Sequence, residues 1–132
     1  MTRNRKLLLI ALVGIAVVAF WYSISQTQKT ANSFESRIAE LKVFEPKKDL
    51  SEEDRAKYLE RFNKQVEELT GAAKLTAEQP QLTGAWYRPL LAIGVVHRDV
   101  GDYERAEIAF QEANRVEPNA FVPYGNLADL YY

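Results

Sequence analysis

The stretches YRPLLAIGVVH (residues 87–97) and FVPYGNLADLY (residues 121–131) are two versions of one pattern. A shift of 34 residues pairs Tyr87 with Phe121, Pro89 with Pro123, Leu90 with Tyr124 and Ile93 with Leu127. The same shift pairs Gly94 with Ala128, Val96 with Leu130 and His97 with Tyr131. Size and polarity are kept at the positions a helix would bury. Both prolines fall in a first helical turn, where the amide they lack has no helical partner anyway. Self-similarity at a fixed period marks a repeat architecture and outranks local propensity in deciding the fold.

Between the copies runs GDYERAEIAFQEANRVEPNA, residues 101–120. Gly101-Asp102 supplies a tight turn between helices. Tyr103, Ala106, Phe110 and Ala113 then recur at three, four and three residues, which predicts one apolar helix face. Pro118 ends that helix and starts the link to the next copy. The unit so defined resembles the tetratricopeptide repeat, a 34-residue pair of antiparallel helices. In that resemblance Leu90 and Ile93 are the large apolar positions of the first helix, and Gly94 is the small residue where the helices cross. Ala106, Phe110 and Ala113 are the small, aromatic and small positions of the second helix, and Pro118 is the closing proline. His97 departs from the family's aromatic at its position, which Tyr131 restores in the next copy. The resemblance covers residues 87–132, about a third of the chain. It implies that Gly94, Ala106 and Ala113 let two backbones approach, with Phe110 and Tyr103 filling the space beside them.

The family's first helices line a concave groove that receives an extended peptide or a partner helix. By position, the resemblance assigns Arg88, Leu91, Val95 and Arg98 to that groove, joined by Asn126 and Asp129 from the second copy. Members that clamp a peptide's terminal carboxylate do so with Lys and Asn, and Leu91 and Val95 stand in those places. An apolar or mixed segment is therefore the expected ligand. The competing reading is that Leu91 and Val95 contact the preceding helix.

Upstream, DLSEEDRAKY (residues 49–58) reads as a helix start. Ser51 is the cap, Asp54 has capping-box spacing, and Glu52 and Glu53 suit the positive end of the helix dipole. Leu59, Phe62, Val66, Leu69 and Ala73 form its apolar face. Gly71 weakens the interior by ~1 kcal/mol and marks a bend or an early end. Pro80 and Gly84 bracket the connection onward. The heptad-like run is too short for a free coiled coil, so packing within the chain is favoured. Between residues 25 and 43, Phe34, Ile38 and Leu41 form a short stripe, a stem that continues the preceding apolar segment. Phe44-Glu45-Pro46 breaks it, because the residue before proline is pushed out of helical geometry.

That preceding segment is LLLIALVGIAVVAFWYSI, residues 7–24, without a charged side chain. As a helix it spans about 27 Å, close to a ~30 Å hydrocarbon core. Lys6 can snorkel at one end, and Trp21 and Tyr22 suit the other interface. A transmembrane helix is the favoured reading, because aromatics close the run where a signal peptide would have a polar cleavage region. A secretory signal cut near Val17 and Ala19 is the alternative. Residues 1–6 carry Arg3, Arg5 and Lys6, against Lys29 alone near the other end. The positive-inside rule puts residues 1–6 in the cytoplasm and the body outside, periplasmic or extracellular. A cleaved signal exports the body too, as a secreted protein.

The rest of the chain holds all 18 acidic residues and is mildly acidic, giving no basic patch for nucleic acid. There are no cysteines, which excludes disulfides, thiolate metal sites and a cysteine nucleophile. The single histidine, His97, reads as a partly buried stand-in for an aromatic rather than a metal ligand. Asp99, Asp102, Glu104 and Glu107 read mostly as a solvated face and turn. No phosphate-cradling loop or nucleophile elbow is present. Neither catalytic residue, metal nor cofactor is expected.

The second copy stops inside its first helix, leaving Leu127, Leu130 and Tyr131 without their usual cover. A fragment of a longer array is the expectation. Self-association through that end and cover by the helix at Ser51 are the alternatives. The chain is thus expected to be all-α: a spanning helix at 7–24, a stem at 25–50, an amphipathic helix and connection at 51–84, and repeats at 85–132. The expected function is a non-enzymatic, membrane-anchored scaffold for protein partners outside the cytoplasm. A membrane stalk for an enzyme beyond residue 132 and an oligomer-forming stalk are the competing readings.

Overall fold

The computed structural model describes the backbone of residues 3–132 and the side chains of residues 3–25 and 37–132. The elements are helical: α1 (Arg3–Leu41), α2 (Glu52–Glu78), a 3-10 stretch (Pro80–Trp86), α3 (Tyr87–Asp99), α4 (Tyr103–Val116) and α5 (Val122–Tyr131). No strand occurs among the described residues. The chain divides into two units, residues 1–38 and residues 39–132.

The first unit is α1 up to Ile38. Its Arg3–Ser25 stretch, 23 residues of mean hydropathy 2.6, is long and apolar enough to cross a membrane. None of it is buried by protein: Leu8, Ile15, Val18 and Trp21 are each about two-thirds exposed. The helix does not stop where the apolar run ends but continues as the stem to Leu41. Of the stem's stripe, Ile38 and Leu41 are buried, and the side chain of Phe34 lies outside the described residues.

In the second unit, residues 42–50 form an irregular strap between α1 and α2. α2 then starts as the sequence demands, with the Ser51 hydroxyl accepting from the Asp54 amide at 3.1 Å and three acids in the first turn. Gly71 does not end it; the helix runs on to Glu78. A solvent-facing glycine costs only propensity, and buried Leu69 and Ala72 on either side of it offset that cost. The buried face is Phe62, Leu69 and Ala72, while Val66 and Ala73 are half-buried and Leu59 points to solvent. Phe62 fixes that rotation, since its ring sits 5.4 Å from those of both Phe44 and His97. The 3-10 stretch ends in Trp86, buried, with its indole donating to the Thr76 hydroxyl at 3.0 Å.

α3 and α4 form the tightest part of the unit, a helical hairpin closed by Val100, Gly101 and Asp102. Gly101 takes φ +81°, a left-handed conformation that side chains other than glycine's rarely adopt. Asp102 then caps α4, accepting from the Arg105 amide at 3.5 Å. Leu90, Ile93 and Gly94 of α3 meet Ala106, Ala109, Phe110 and Ala113 of α4 in a core closed to water. The face expected of α4 holds at Ala106, Phe110 and Ala113 but not at Tyr103, which is 51% exposed. Tyr103 sits in the first turn, where the strap passes, and the Lys48 ammonium lies over its ring at 5.8 Å. Glu112 is buried on α4 instead, 3.5 Å from Arg115.

α5 begins one turn after Pro118, and its Pro123 is buried as Pro89 is in α3. Leu127 and Leu130 are half-buried, whereas Phe121, Tyr124, Tyr131 and Tyr132 are exposed. The Tyr131 hydroxyl bonds the Glu107 carboxylate, which fastens α5 to α4.

Candidate functional site

Two constellations stand out, one on the surface of α3 and one beneath the strap. On the surface, Leu91, Val95 and Arg98 fall at four and three residues apart along α3, the spacing of one helix face, and all three are half-buried. Arg88, one turn before them, is exposed. The Arg98 guanidinium donates to the Asn126 side-chain carbonyl of α5 at 3.2 Å and to Asp99 at 3.4 Å. Asp99 in turn lies 3.8 Å from Arg61 of α2. A row of polar contacts therefore crosses the C-terminal end of α3 from α2 to α5. Of the six residues assigned to a groove, Arg98 and Asn126 are brought into contact, and Arg88 and Asp129 stand exposed. Pairs of this kind contribute little while water reaches them, so a ligand can break them at small cost.

The second constellation is buried and joins residues distant in sequence. His97 is fully buried, with Nε2 3.1 Å from the carbonyl oxygen of Leu41. A carbonyl only accepts, so the neutral ring carries its proton on Nε2 and turns a bare Nδ1 toward Asp102. That Nδ1 has no hydrogen-bond partner and lies 3.8 Å from the nearer Asp102 oxygen. Asp102, fully buried too, is held by the Arg105 guanidinium at 2.7 Å. Arg105 also grips Glu45 at 2.6 Å and the Glu40 carbonyl at 3.0 Å. Lys47 approaches the other Asp102 oxygen at 4.0 Å. Burial pushes the His97 pKa below its ordinary value of 6.5; the Leu41 carbonyl and the Asp102 charge oppose this, and Arg105 adds to it. The hydrogen bond to Asp102, joined by Glu45, holds Arg105 charged beyond its usual range.

The sequence reading placed Asp102 on a solvated turn, and the structure corrects this. An acid behind a glycine resembles a surface turn unless a buried partner is known, and two of its partners, Glu45 through Arg105 and His97, come from other elements. The spacing of Asp102 to Arg105, one turn apart at a helix start, was the available signal. His97 is more deeply buried than a partly covered spacer, and its ring replaces an aromatic by meeting Phe62 edge-on.

Among the described residues no group of three or more His, Cys, Asp or Glu side chains is placed to hold a metal ion. The described residues thus hold a half-buried row on the surface of α3 and a buried polar cluster around His97. No protein family, curated protein or solved structure matches this chain.

Proposed function

We propose that the chain is a membrane-anchored helical-repeat scaffold of the tetratricopeptide type, which binds a segment of a partner protein rather than catalysing a reaction. In this reading the apolar part of α1 is the anchor, residues 1–6 face the cytoplasm and the second unit lies outside it. The partner's segment, extended or helical, lies along Arg88, Leu91, Val95 and Arg98 of α3 and reaches Asn126 and Asp129 of α5. The observation that carries the proposal is the half-buried row Leu91–Val95–Arg98, tied to α5 through Asn126. Covering Leu91 and Val95 removes apolar surface from water at about 25 cal/mol per Å². Arg88 and Arg98 at the two ends of the row fix the segment's direction by pairing with its polar groups. The repeat assignment is supported by the buried small and aromatic positions Gly94, Ala106, Phe110 and Ala113, and by two buried prolines one period apart.

Site-specific photo-crosslinking in the membrane-inserted full chain tests it. A photoreactive side chain at Leu91 or Val95 is expected to give one discrete protein adduct, and the same group at Gln111, on the exposed side of α4, none. Val95→Glu should abolish the adduct formed from position 91 while leaving the chain folded. Equal adducts from position 111, or none from either groove position, would remove the proposal.

A further inference from the structure

The buried cluster around His97 has no part in the groove, and it joins the strap to the repeat. The strap is pinned at both ends. At its start, His97 bonds the Leu41 carbonyl and Arg105 bonds the Glu40 carbonyl and Glu45. At its far end, the amides of Lys47 and Lys48 both donate to the Val100 carbonyl, at 2.8 and 3.1 Å. The central group in this arrangement is an imidazole with one nitrogen bonded to the strap and the other bare and buried.

We propose that His97 is a proton-operated latch: the neutral ring keeps residues 42–48 docked on the α3–α4 turn, and a proton taken up at Nδ1 releases them. The charges around the ring explain the direction. Among the described residues Asp102 is the carboxylate that faces Nδ1, and its charge is already neutralised by Arg105 at 2.7 Å and approached by Lys47 at 4.0 Å. A second cation at Nδ1 therefore meets one shared anion and the Arg105 guanidinium. From α2 the ring meets the uncharged ring of Phe62, while Arg61 is engaged with Asp99. From α3, Arg98 and Asp99 pair with each other at 3.4 Å. From the end of α1 comes the Leu41 carbonyl, which the protonated ring can still use, and from the strap Glu45, which Arg105 holds. With the acid at Nδ1 already paired with Arg105, an imidazolium is better hydrated than buried, and hydrating it requires the strap to lift. Burial also sets the ring's affinity for protons below that of a free histidine, so the latch is shut at neutral pH and opens on acidification.

Release leaves α2 packed on α3 and frees residues 42–50. Fully extended, that segment spans up to about 30 Å. The device thus converts an acidic surrounding into a longer tether, whatever partner occupies the groove.

His97 is the single histidine of the chain, so its ring signals in the full chain, in lipid nanodiscs, are unambiguous. They are titrated by NMR from about pH 8 to about pH 5, alongside hydrogen exchange at the Lys47 and Lys48 amides, corrected for the intrinsic pH dependence of exchange. The expected result is a ring midpoint below 6.5 and a loss of amide protection over the same interval, up to about tenfold per pH unit, the slope that one linked proton allows. His97→Gln, which keeps a donor for Leu41 and cannot take the proton, should hold its protection through that interval. A midpoint at or above 6.5, protection that does not change as the ring titrates, or H97Q losing protection in step with the natural chain would each overturn the proposal. If H97Q fails to fold, co-titration of ring and amides in the natural chain decides alone.

Discussion

The Cβ that Gly94 lacks would lie 2.5 Å from Cε1 of Phe110, well inside contact distance. Phe110 is fully buried, so its ring has no open space to swing into. Gly94→Ala should therefore destabilise the second unit by about 1–3 kcal/mol, the usual range for overpacking a tight core. Phe110→Leu, introduced with it, should recover part of the loss. Chemical denaturation of the full chain in micelles, followed through Trp86, measures both. An unchanged midpoint for Gly94→Ala would mean the helices are further apart than described.

Arg105 supports three partners at once, and its removal strands one of them. Asp102 is fully buried, so Arg105→Ala leaves a carboxylate with the long 3.5 Å bond from the backbone amide at 105, the 4.0 Å approach of Lys47 and a distant, bare His97 nitrogen. A loss of about 1–3 kcal/mol is expected from leaving a buried acceptor under-satisfied. Arg105→Lys should recover little, because an ammonium on one stem cannot bond the Glu40 carbonyl, Glu45 and Asp102 together. Asp102→Asn combined with Arg105→Ala should be milder than Arg105→Ala alone. The double-mutant cycle reads this directly.

Global stability should carry the signature of His97. Its folded-state pKa lies below the unfolded value of 6.5, so the unfolded chain binds the extra proton first as pH falls. The stabilisation is complete above 6.5 and declines as the pH drops through the interval below it. The slope is at most about 1.4 kcal/mol per pH unit, since one proton is involved. Urea midpoints across that interval should fall for the natural chain and stay flatter for His97→Gln. A rise in stability toward acid would show that the Asp102 charge outweighs burial at this ring.

Topology is open to a simple chemical test because the chain contains no cysteine. With a single cysteine introduced at Glu117, exposed after α4, a membrane-impermeant maleimide added to intact cells should label the protein. The same cysteine at Asn4 should be labelled only after the membrane is opened. Labelling at position 4 from outside would reverse the proposed orientation, and loss of residue 4 from the mature protein would establish cleavage.

Local signals were legible in the sequence, and contacts between distant segments were not. Ser51 announced the start of α2, and the apolar period through Ala106, Phe110 and Ala113 announced α4, because capping and helix periodicity act within a few residues. The long apolar run announced the first part of α1 for the same reason, though not its continuation to Leu41. The rotation of α2 was misjudged at Leu59, since which flank of a broad stripe faces inward depends on Phe44 and His97, neither of them on that helix. Tyr103 was misplaced because its ring lies under Lys48 of the strap, a segment far from it in the sequence. Of the candidate sites, the groove residues came from the resemblance, position by position. Of the His97 cluster only the Asp102–Arg105 spacing was legible, because its other parts are Leu41 and Glu45, and no short-range rule links residues 41 and 97.

The double pinning of the strap has an evolutionary consequence. Surface connections usually drift in length between relatives, gaining and losing residues at little cost. Here the Leu41 carbonyl is fixed at one end and the Lys47 and Lys48 amides at the other. Removing or adding one amino acid within residues 42–46 would throw one end out of register with Val100 or the other out of reach of His97. Descendants of this gene should therefore tolerate many exchanges of side chain in that interval while keeping its residue count constant.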